Sequence, residues 1–262
     1  MVSYLGEVSE TSDGRLSLVR SYKGGPLLFN LEAWRGGCPN AAAFVRERYA
    51  AEGLGRDGVE PAGDGGGRVC TTFVARRCGE VVGTLTIAVV EERGLLQASA
   101  AYPFESATLR RQYPILAEFG QLATEQSVYG QAALAGLFHL GLLHAFAAGA
   151  EVAVAEVHPR HAMFYSRALG MQRASSDVRT CRRVGAPGVM LHGLLTEIAQ
   201  RVELSWQEKR RSALRRWFHR DDAMRLLCEL EIAAGDSFRP PPQMRLARAN
   251  WNRMTAGALA TA

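Results

Sequence analysis

Residues 113–170 read YPILAEFGQLATEQSVYGQAALAGLFHLGLLHAFAAGAEVAVAEVHPRHAMFYSRALG, and this stretch decides the fold. Tyr113 to Thr124 reads as a strand with Gly120 in its interior, where a glycine marks a bulge or a close backbone approach by a ligand. Ser127 is placed to cap a helix running to about Ala148. Leu134, Leu137, Phe138, Leu140, Leu142, Leu143 and Phe146 make that helix apolar almost all round, so it belongs in the interior. Glu151 to Val157 is a second strand. Pro159 then suits a first helical position and Gly170 a C-terminal stop, which frames a helix over 159–169.

Upstream, Val69 to Arg77 alternates in part (Val69, Thr71, Phe73, Ala75), and Glu80 to Val90 is apolar and β-branched. Cys78-Gly79 between them is a two-residue hairpin signal. A short helix fits near Phe104 to Gln112 inside an otherwise irregular 91–112. Ala42, Phe44, Val45 and Tyr49 fall on one side of a helix from Pro39 to Glu52, which Gly53 ends. A breaker-rich loop follows, from Gly55 to Arg68. Downstream, Gly188 to His192 gives a last short strand. Helix, hairpin, strand, long helix, strand, short helix and strand predict an α/β layered domain, a mixed sheet with helices packed on it.

Three regions result: a polar N-terminal segment over 1–25, the α/β domain over 26–194, and a helix-like, strand-free C-terminal extension over 195–262. The 262 residues, 47% hydrophobic and 22% charged, suffice for one sizeable core and exclude wholesale disorder. No run of about 18 apolar residues suggests a membrane span. The first 25 residues carry Glu7, Glu10 and Asp13 and no long apolar centre, so they do not read as a signal peptide. Five widely spaced cysteines, none in a C-x-x-C pair, point to reduced thiols and a cytoplasmic setting rather than to disulfides or zinc. The net charge is +5. From Arg201 to Ala262 there are 12 Lys/Arg against 7 Asp/Glu, a surplus equal to the whole net charge. Such a balance suits an acidic partner.

Three segments carry a resemblance. They are Leu116-Ala117-Glu118-Phe119-Gly120-Gln121-Leu122-Ala123; Glu156-Val157-His158-Pro159-Arg160-His161-Ala162-Met163-Phe164-Tyr165 with Leu169-Gly170-Met171; and Cys181 to His192, CRRVGAPGVMLH. In this order and spacing they resemble the long-chain N-acyl amino acid synthases, a branch of the GNAT acyltransferase fold close to the acyl-homoserine-lactone synthases. The likeness covers roughly 40–194. It implies a GNAT-like sheet and acyl transfer from an acyl carrier protein, with an amino acid or similar small amine as acceptor. Gln121 stands where that family usually has arginine, and His158 where it has asparagine; both bear on acceptor choice and activity. The pyrophosphate loop usual in GNAT enzymes is degenerate: Gln126-Ser127-Val128-Tyr129-Gly130-Gln131-Ala132 keeps one glycine. That argues against tight reading of a nucleotide pyrophosphate and is compatible with a phosphopantetheine arm.

Aminolysis of a thioester needs a neutral amine, a stabilised oxyanion and a protonated leaving thiol. Glu118 is the candidate general base, a half-buried strand carboxylate whose pKa desolvation would raise. The other reading is a structural partner for a nearby arginine. A backbone N–H near Leu122 or Ala123 would hold the oxyanion where the strand splays from its neighbour. Tyr165, where many GNAT enzymes place a tyrosine that protonates the thiolate, is the candidate acid; a core tyrosine is the alternative. Phe119, Leu122 and Phe138 would line an acyl tunnel, and Ser127 and Gly130 would meet the carrier arm. Arg48, Tyr49, Gln121 and His158 are candidates for the acceptor. His158 and His161 form H-x-x-H without a third ligand, which favours capping or packing over a metal.

The co-substrate is therefore acyl-phosphopantetheine on acyl carrier protein, or acyl-CoA, with no tightly bound cofactor. The basic stretch from Glu203 to Arg220 has three readings: a docking face for an acidic carrier, a peripheral contact with the inner membrane face, or a solvated helix face. Competing functions are an acyl-homoserine-lactone-type or acyl-CoA-dependent small-molecule acyltransferase, and a catalytically inactive acyl- or carrier-binding GNAT protein. No motif supports nucleic-acid binding.

Overall fold

The computed structural model describes residues 5–11, 15–21, 30–35, 38–54, 67–198 and 201. Among the described residues ten strands form one sheet. They are β1 (Leu5–Thr11), β2 (Arg15–Ser21), β3 (Asn30–Arg35), β4 (Arg68–Arg77), β5 (Glu80–Val90), β6 (Leu116–Thr124), β7 (Val152–Val157), β8 (Gln172–Arg173), β9 (Arg179–Cys181) and β10 (Ala186–Leu194). The order is β1-β2-β3-β4-β5-β6-β7-β10-β8, with β9 paired to β10. Every pairing is antiparallel except that of β6 with β7. The helices are α1 (Pro39–Ala51), α2 (Pro103–Gln112), α3 (Val128–Ala147) and α4 (Pro159–Leu169), and Gln97–Ala100 makes a 3₁₀ turn.

The local signals act as expected. Cys78 and Gly79 both have positive φ, 50° and 86°, the backbone of a tight hairpin whose twist matches its strands. Ser127 Oγ accepts the Gly130 N–H at 3.2 Å and caps α3. Pro159 opens α4 and Gly170 closes it at φ 72°. β10 is longer than the strand expected over 188–192, and β8 and β9 were not anticipated.

Side chains of β4, β5 and β6 alternate between two faces. Phe73, Leu85, Ile87 and Phe119 meet α3 and α4 through Leu137, Phe138, Tyr165 and Leu169. Gly141 permits the close approach of α3, since a Cβ there would lie 2.9 Å from the Leu85 side chain. On the opposite face Cys70, Ala88 and Val154 meet Leu96, Tyr102 and Leu109 of the 3₁₀–α2 region. α1 covers the same face nearer the parting of the sheet, through Ala41 against Val74 and Val45 against Ala123.

The sheet crosses the division drawn at residue 25, because β1 and β2 extend it through β3. The core likewise runs past 194: Leu195 and Ile198 are buried, and the Leu195 N–H donates to the Glu151 carbonyl at 2.9 Å. The basic stretch from Glu203 to Arg220, and most of the Gly55 to Arg68 loop, lie outside the described residues.

Candidate active site

β6 changes character half-way along. Leu116 to Phe119 pair with Val152 to Ala155 of β7, and the pairing stops there. From Gly120 onward the two parallel strands run apart, which frees backbone groups of β6 on that edge. On its other edge Thr86 opposes Gly120 and Thr84 opposes Ala123, so Gln121 and Leu122 together face one residue of β5. This is a β-bulge. It was expected at Gly120; the residue with φ of +48° is its neighbour Gln121.

A non-glycine residue in that region costs on the order of 1 kcal/mol or more. Two threonines offset the cost. Thr84 Oγ1 donates to the Gln121 carbonyl at 3.0 Å, and Thr86 Oγ1 donates to Gln121 Oε1 at 3.1 Å. The hydroxyls of Thr86 and Thr72 lie 3.0 Å apart. All four residues are buried. An arginine at position 121 has only donors and could not accept from Thr86. Glutamine here thus holds the bulge.

Glu118 lies in the paired half of β6 and is more deeply buried than expected, 3% exposed rather than half-buried. Its oxygens accept the N–H groups of Gln97 (2.7 Å) and Ala98 (2.8 Å), and Arg68 stands 4.0 Å away. A carboxylate there complements the N-terminus of the 3₁₀ turn. These bonds match the structural reading of Glu118, with backbone donors as its principal partners.

Beyond the parting, the α1–α2 face carries a cluster that had been assigned no role. Glu156 follows Ala155, the last residue of β7 paired with β6. Arg183, in the turn between β9 and β10, reaches over Gly120: a Cβ there would lie 3.4 Å from its guanidinium Nη1. Glycine at 120 therefore makes room for a side chain of the same protein. Cys181 is buried beside the Glu156 carboxylate. Burial pushes the Glu156 carboxyl above the usual range, helped by the Glu118 charge and opposed by the Cys181 thiol and by Arg183. Burial also pushes the Cys181 thiol up, and the charge of Glu156 adds to that.

A knot holds this arm in place. Arg179 grips Glu105 of α2 at 2.8 and 3.2 Å and stacks 4.7 Å above the Tyr102 ring, while the Tyr102 hydroxyl donates to the Gly188 carbonyl at 2.6 Å.

Tyr49 reaches the parting from α1, and its hydroxyl donates to the Leu122 carbonyl at 3.4 Å. Tyr165 of α4 is buried in the core on the opposite face. Burial raises the pKa of Tyr165 far above its ordinary 10, and Tyr49 adds to the rise. Phe119 and Phe138 stack at 6.2 Å, and Phe138 meets Tyr165 edge-on at 5.6 Å. They form an apolar layer on the α3–α4 face, with Leu122 packed against the same core.

The remaining candidates sit around the mouth. Glu52 accepts from Gln126 after β6 (2.8 Å) and from Arg160 of α4 (2.5 Å), and these contacts, Arg160 first, lower its pKa. This clasps α1 to both strands' exits. Arg48 Nε is buried with no hydrogen-bond partner among the described residues, and its charge acts on Glu52. His158 Nδ1 accepts the Arg160 N–H at 3.3 Å and caps α4. Ser127 also donates to Glu125 at 3.0 Å. Gly130 presses on the Glu125 carbonyl, 1.9 Å from where a Cβ would stand. The Gly130 N–H is thus used inside the protein, and a carboxylate flanks the helix start, an arrangement poorly suited to a pyrophosphate.

Glu156, Arg183 and Cys181 all fall within the motif segments, and a glutamate ending the apolar run VAVAEV was the available signal. No curated protein matches the chain in sequence. Among solved structures it is similar to FeeM, an N-acyl amino acid synthase from uncultured soil microbes. The identity is 24% and the TM-score 0.52, over 66% of this chain and 95% of that one. It is also similar to the AHL synthase LasI, at 13% identity and a TM-score of 0.42, over 63% and 90% of the two chains. The model of the family described as N-acyl amino acid synthase FeeM matches residues 40–193, more than half of the chain. The chain therefore belongs to the FeeM family of N-acyl amino acid synthases, N-acyltransferases built on a GNAT-like mixed sheet.

Proposed function

We propose that this protein transfers a long-chain fatty acyl group from an acyl carrier protein thioester to the amine of an amino acid or a similar small acceptor. One observation carries the reading: β6 and β7 part at a point with an aromatic layer on one face and buried charges on the other. The acyl chain lies along Phe119, Leu122 and Phe138. The thioester carbonyl lies in the parting, where a backbone N–H near Leu122 or Ala123 stabilises the tetrahedral oxyanion. The amine attacks the carbonyl carbon, the C–N bond forms, the C–S bond breaks, and the thiol leaves with a proton.

Tyr165 takes part as a hydrogen-bond donor. A phenol whose pKa is far above 10 stays protonated at physiological pH and holds its proton against a thiolate. The second proton on the attacking nitrogen is the better source for the sulfur. The internally satisfied α3 start, with Glu125 beside it, favours a single-phosphate phosphopantetheine arm over coenzyme A.

No helix among the described residues is long and apolar enough to cross a membrane. A cytoplasmic setting belongs to this reading. A peripheral membrane contact, or carrier docking, would rest on the basic 201–262 segment.

The test is mass spectrometry of lipid extracts from cells overproducing the protein, with initial rates for palmitoyl on each carrier. New N-acyl amino acids and a higher kcat/KM with acyl carrier protein are expected. Each buried methylene contributes about 0.8 kcal/mol, so chains of about twelve carbons or more should be preferred. Faster turnover with acetyl donors, or an equal or higher kcat/KM with palmitoyl-CoA, would overturn the assignment of chain or carrier.

A further inference from the structure

We propose that Glu156 and Arg183 form the zwitterion subsite of the acceptor, with Glu156 receiving the ammonium proton and Arg183 holding the carboxylate. This deepens the acyl-transfer reading and rests on it.

Four observations carry it. Glu156 is the first residue of β7 beyond the pairing with β6, and its Oε1 lies beside Gly188 and Cys181 of the β9–β10 arm. Its Oε1 is buried with no hydrogen-bond partner among the described residues. Arg183 Nε is also buried without one. The guanidinium lies against Gly120, on the same edge of the opening. Buried charged groups are normally saturated with partners, because an unpaired polar atom in the interior is costly. A donor and an acceptor of opposite charge, each with an unsatisfied buried atom and both beside the point where the β6–β7 pairing ends, match an α-amino acid. Its ammonium supplies the donors that Glu156 lacks, and its carboxylate the acceptors that Arg183 lacks.

Glu118 is otherwise engaged on the same face, because both its oxygens take backbone N–H groups. The two carboxylates thus differ: one is spent on the backbone, and the other keeps an oxygen without a partner.

The proton balance is simple. Ionised Glu156 takes one proton from the bound ammonium. The neutral amine attacks the thioester carbonyl, the C–N bond forms and the C–S bond breaks. The second nitrogen proton goes to the departing sulfur, and Glu156 returns its proton to solvent. The groups acting on Glu156 are Glu118 of β6, Cys181 and Arg183 of the β9–β10 arm, and Tyr102 before α2. Burial raises its carboxyl above the ordinary range, which makes it a stronger base.

The experiment uses the full chain, palmitoyl-acyl carrier protein and an equimolar mixture of the proteinogenic amino acids, each paired with the amine lacking its carboxylate. The unaltered protein should prefer the amino acid over its decarboxylated amine by about tenfold or more. In Arg183→Gln the KM for the amino acid should rise about 10- to 100-fold while that for the amine changes far less, and Arg183→Lys should recover part of the loss. In Glu156→Gln kcat should fall about 10²- to 10⁴-fold, and the deficit should shrink as pH rises and more amine arrives neutral. That variant should melt no lower than the unaltered protein at pH 8, because it removes a buried charge.

Binding of the same amino acids, read by calorimetry, separates the two claims. Binding that both substitutions abolish, without acyl transfer, keeps the subsite and removes the acyltransferase reading. Transfer that survives both substitutions, or an unaltered protein that takes the amine as well as the amino acid, overturns the subsite and leaves the reading intact. An unaltered protein that neither binds nor acylates any amino acid overturns the subsite as well.

Discussion

The two halves of β6 carry the same kind of sequence and do different things. From Leu116 to Phe119 the strand is paired on both edges, and its one charged residue, Glu118, is consumed by the backbone of the 3₁₀ turn. From Gly120 to Ala123 it is bulged on one edge and parted from β7 on the other, with Gln121 held at positive φ by threonines. A sheet that satisfies its strand on both sides has nothing to offer a substrate. One that stops half-way leaves donors in a dry place without unfolding anything. Changes near the first half should therefore cost stability, and changes near the second should cost turnover.

The largest stability effect is expected from acid. His144 lies on α3 beneath the paired region, edge-on to Phe73 at 5.6 Å, and burial holds its pKa at about 4 rather than 6.5. Its folded-state value is depressed, so stability is fully present above about pH 6.5 and is lost as pH falls towards 4, when unfolding lets the imidazole take a proton. At one unit per 1.36 kcal/mol the loss reaches about 3 kcal/mol at pH 4. Melting temperatures from pH 7.5 to 4 should fall more steeply for the unaltered protein than for His144→Leu. Parallel curves would remove His144 from the account.

Next comes Glu118→Gln. The amide keeps one acceptor oxygen and turns an NH₂ towards a backbone N–H, at a cost of about 2 kcal/mol. Turnover per folded molecule should stay within a few-fold. A stable variant whose kcat falls a hundredfold or more would break the comparison and return Glu118 to the role of base.

Tyr165→Phe sharpens it from the other side. Loss of one neutral hydrogen bond in the transition state amounts to about 1 kcal/mol, or roughly two- to tenfold in kcat. A loss beyond a hundredfold would restore Tyr165 as the proton donor to sulfur.

The smallest effect belongs to Gln121→Gly. Glycine relieves the positive φ but gives up the bond from Thr86, and the two changes are each about 1 kcal/mol and opposed. Denaturant midpoints should barely move. A loss above about 2 kcal/mol would show that the glutamine does more than seat the bulge.

Much of the fold was legible because its signals are local. Cys78-Gly79 marks a hairpin, Ser127 a helix start and Gly170 a helix end without reference to anything distant. The N-terminal strands were not legible. β1, β2 and β3 are six or seven residues long and rich in polar residues, and they become strands by adding to the edge of β4. In the site, Gly120 announced an irregularity at nearly the right place. Glu118 drew attention as a carboxylate in an apolar strand, a description that fits Glu156 equally well.

The sequence by itself determined the helices and strands of the central domain, the glycine-marked break in β6 and, through three motif segments, the acyltransferase family. Those are matters of turn chemistry, hydrophobic period and spacing along the chain. Only the tertiary structure decided which of two strand carboxylates keeps a buried oxygen without a hydrogen-bond partner. That depends on where β6 and β7 stop pairing, on the 3₁₀ turn that claims Glu118, and on the β9–β10 arm that carries Arg183 across Gly120. A charged group's role is set by which donors and acceptors reach it through space, and the partners of these two carboxylates come from parts of the chain about twenty or more residues away.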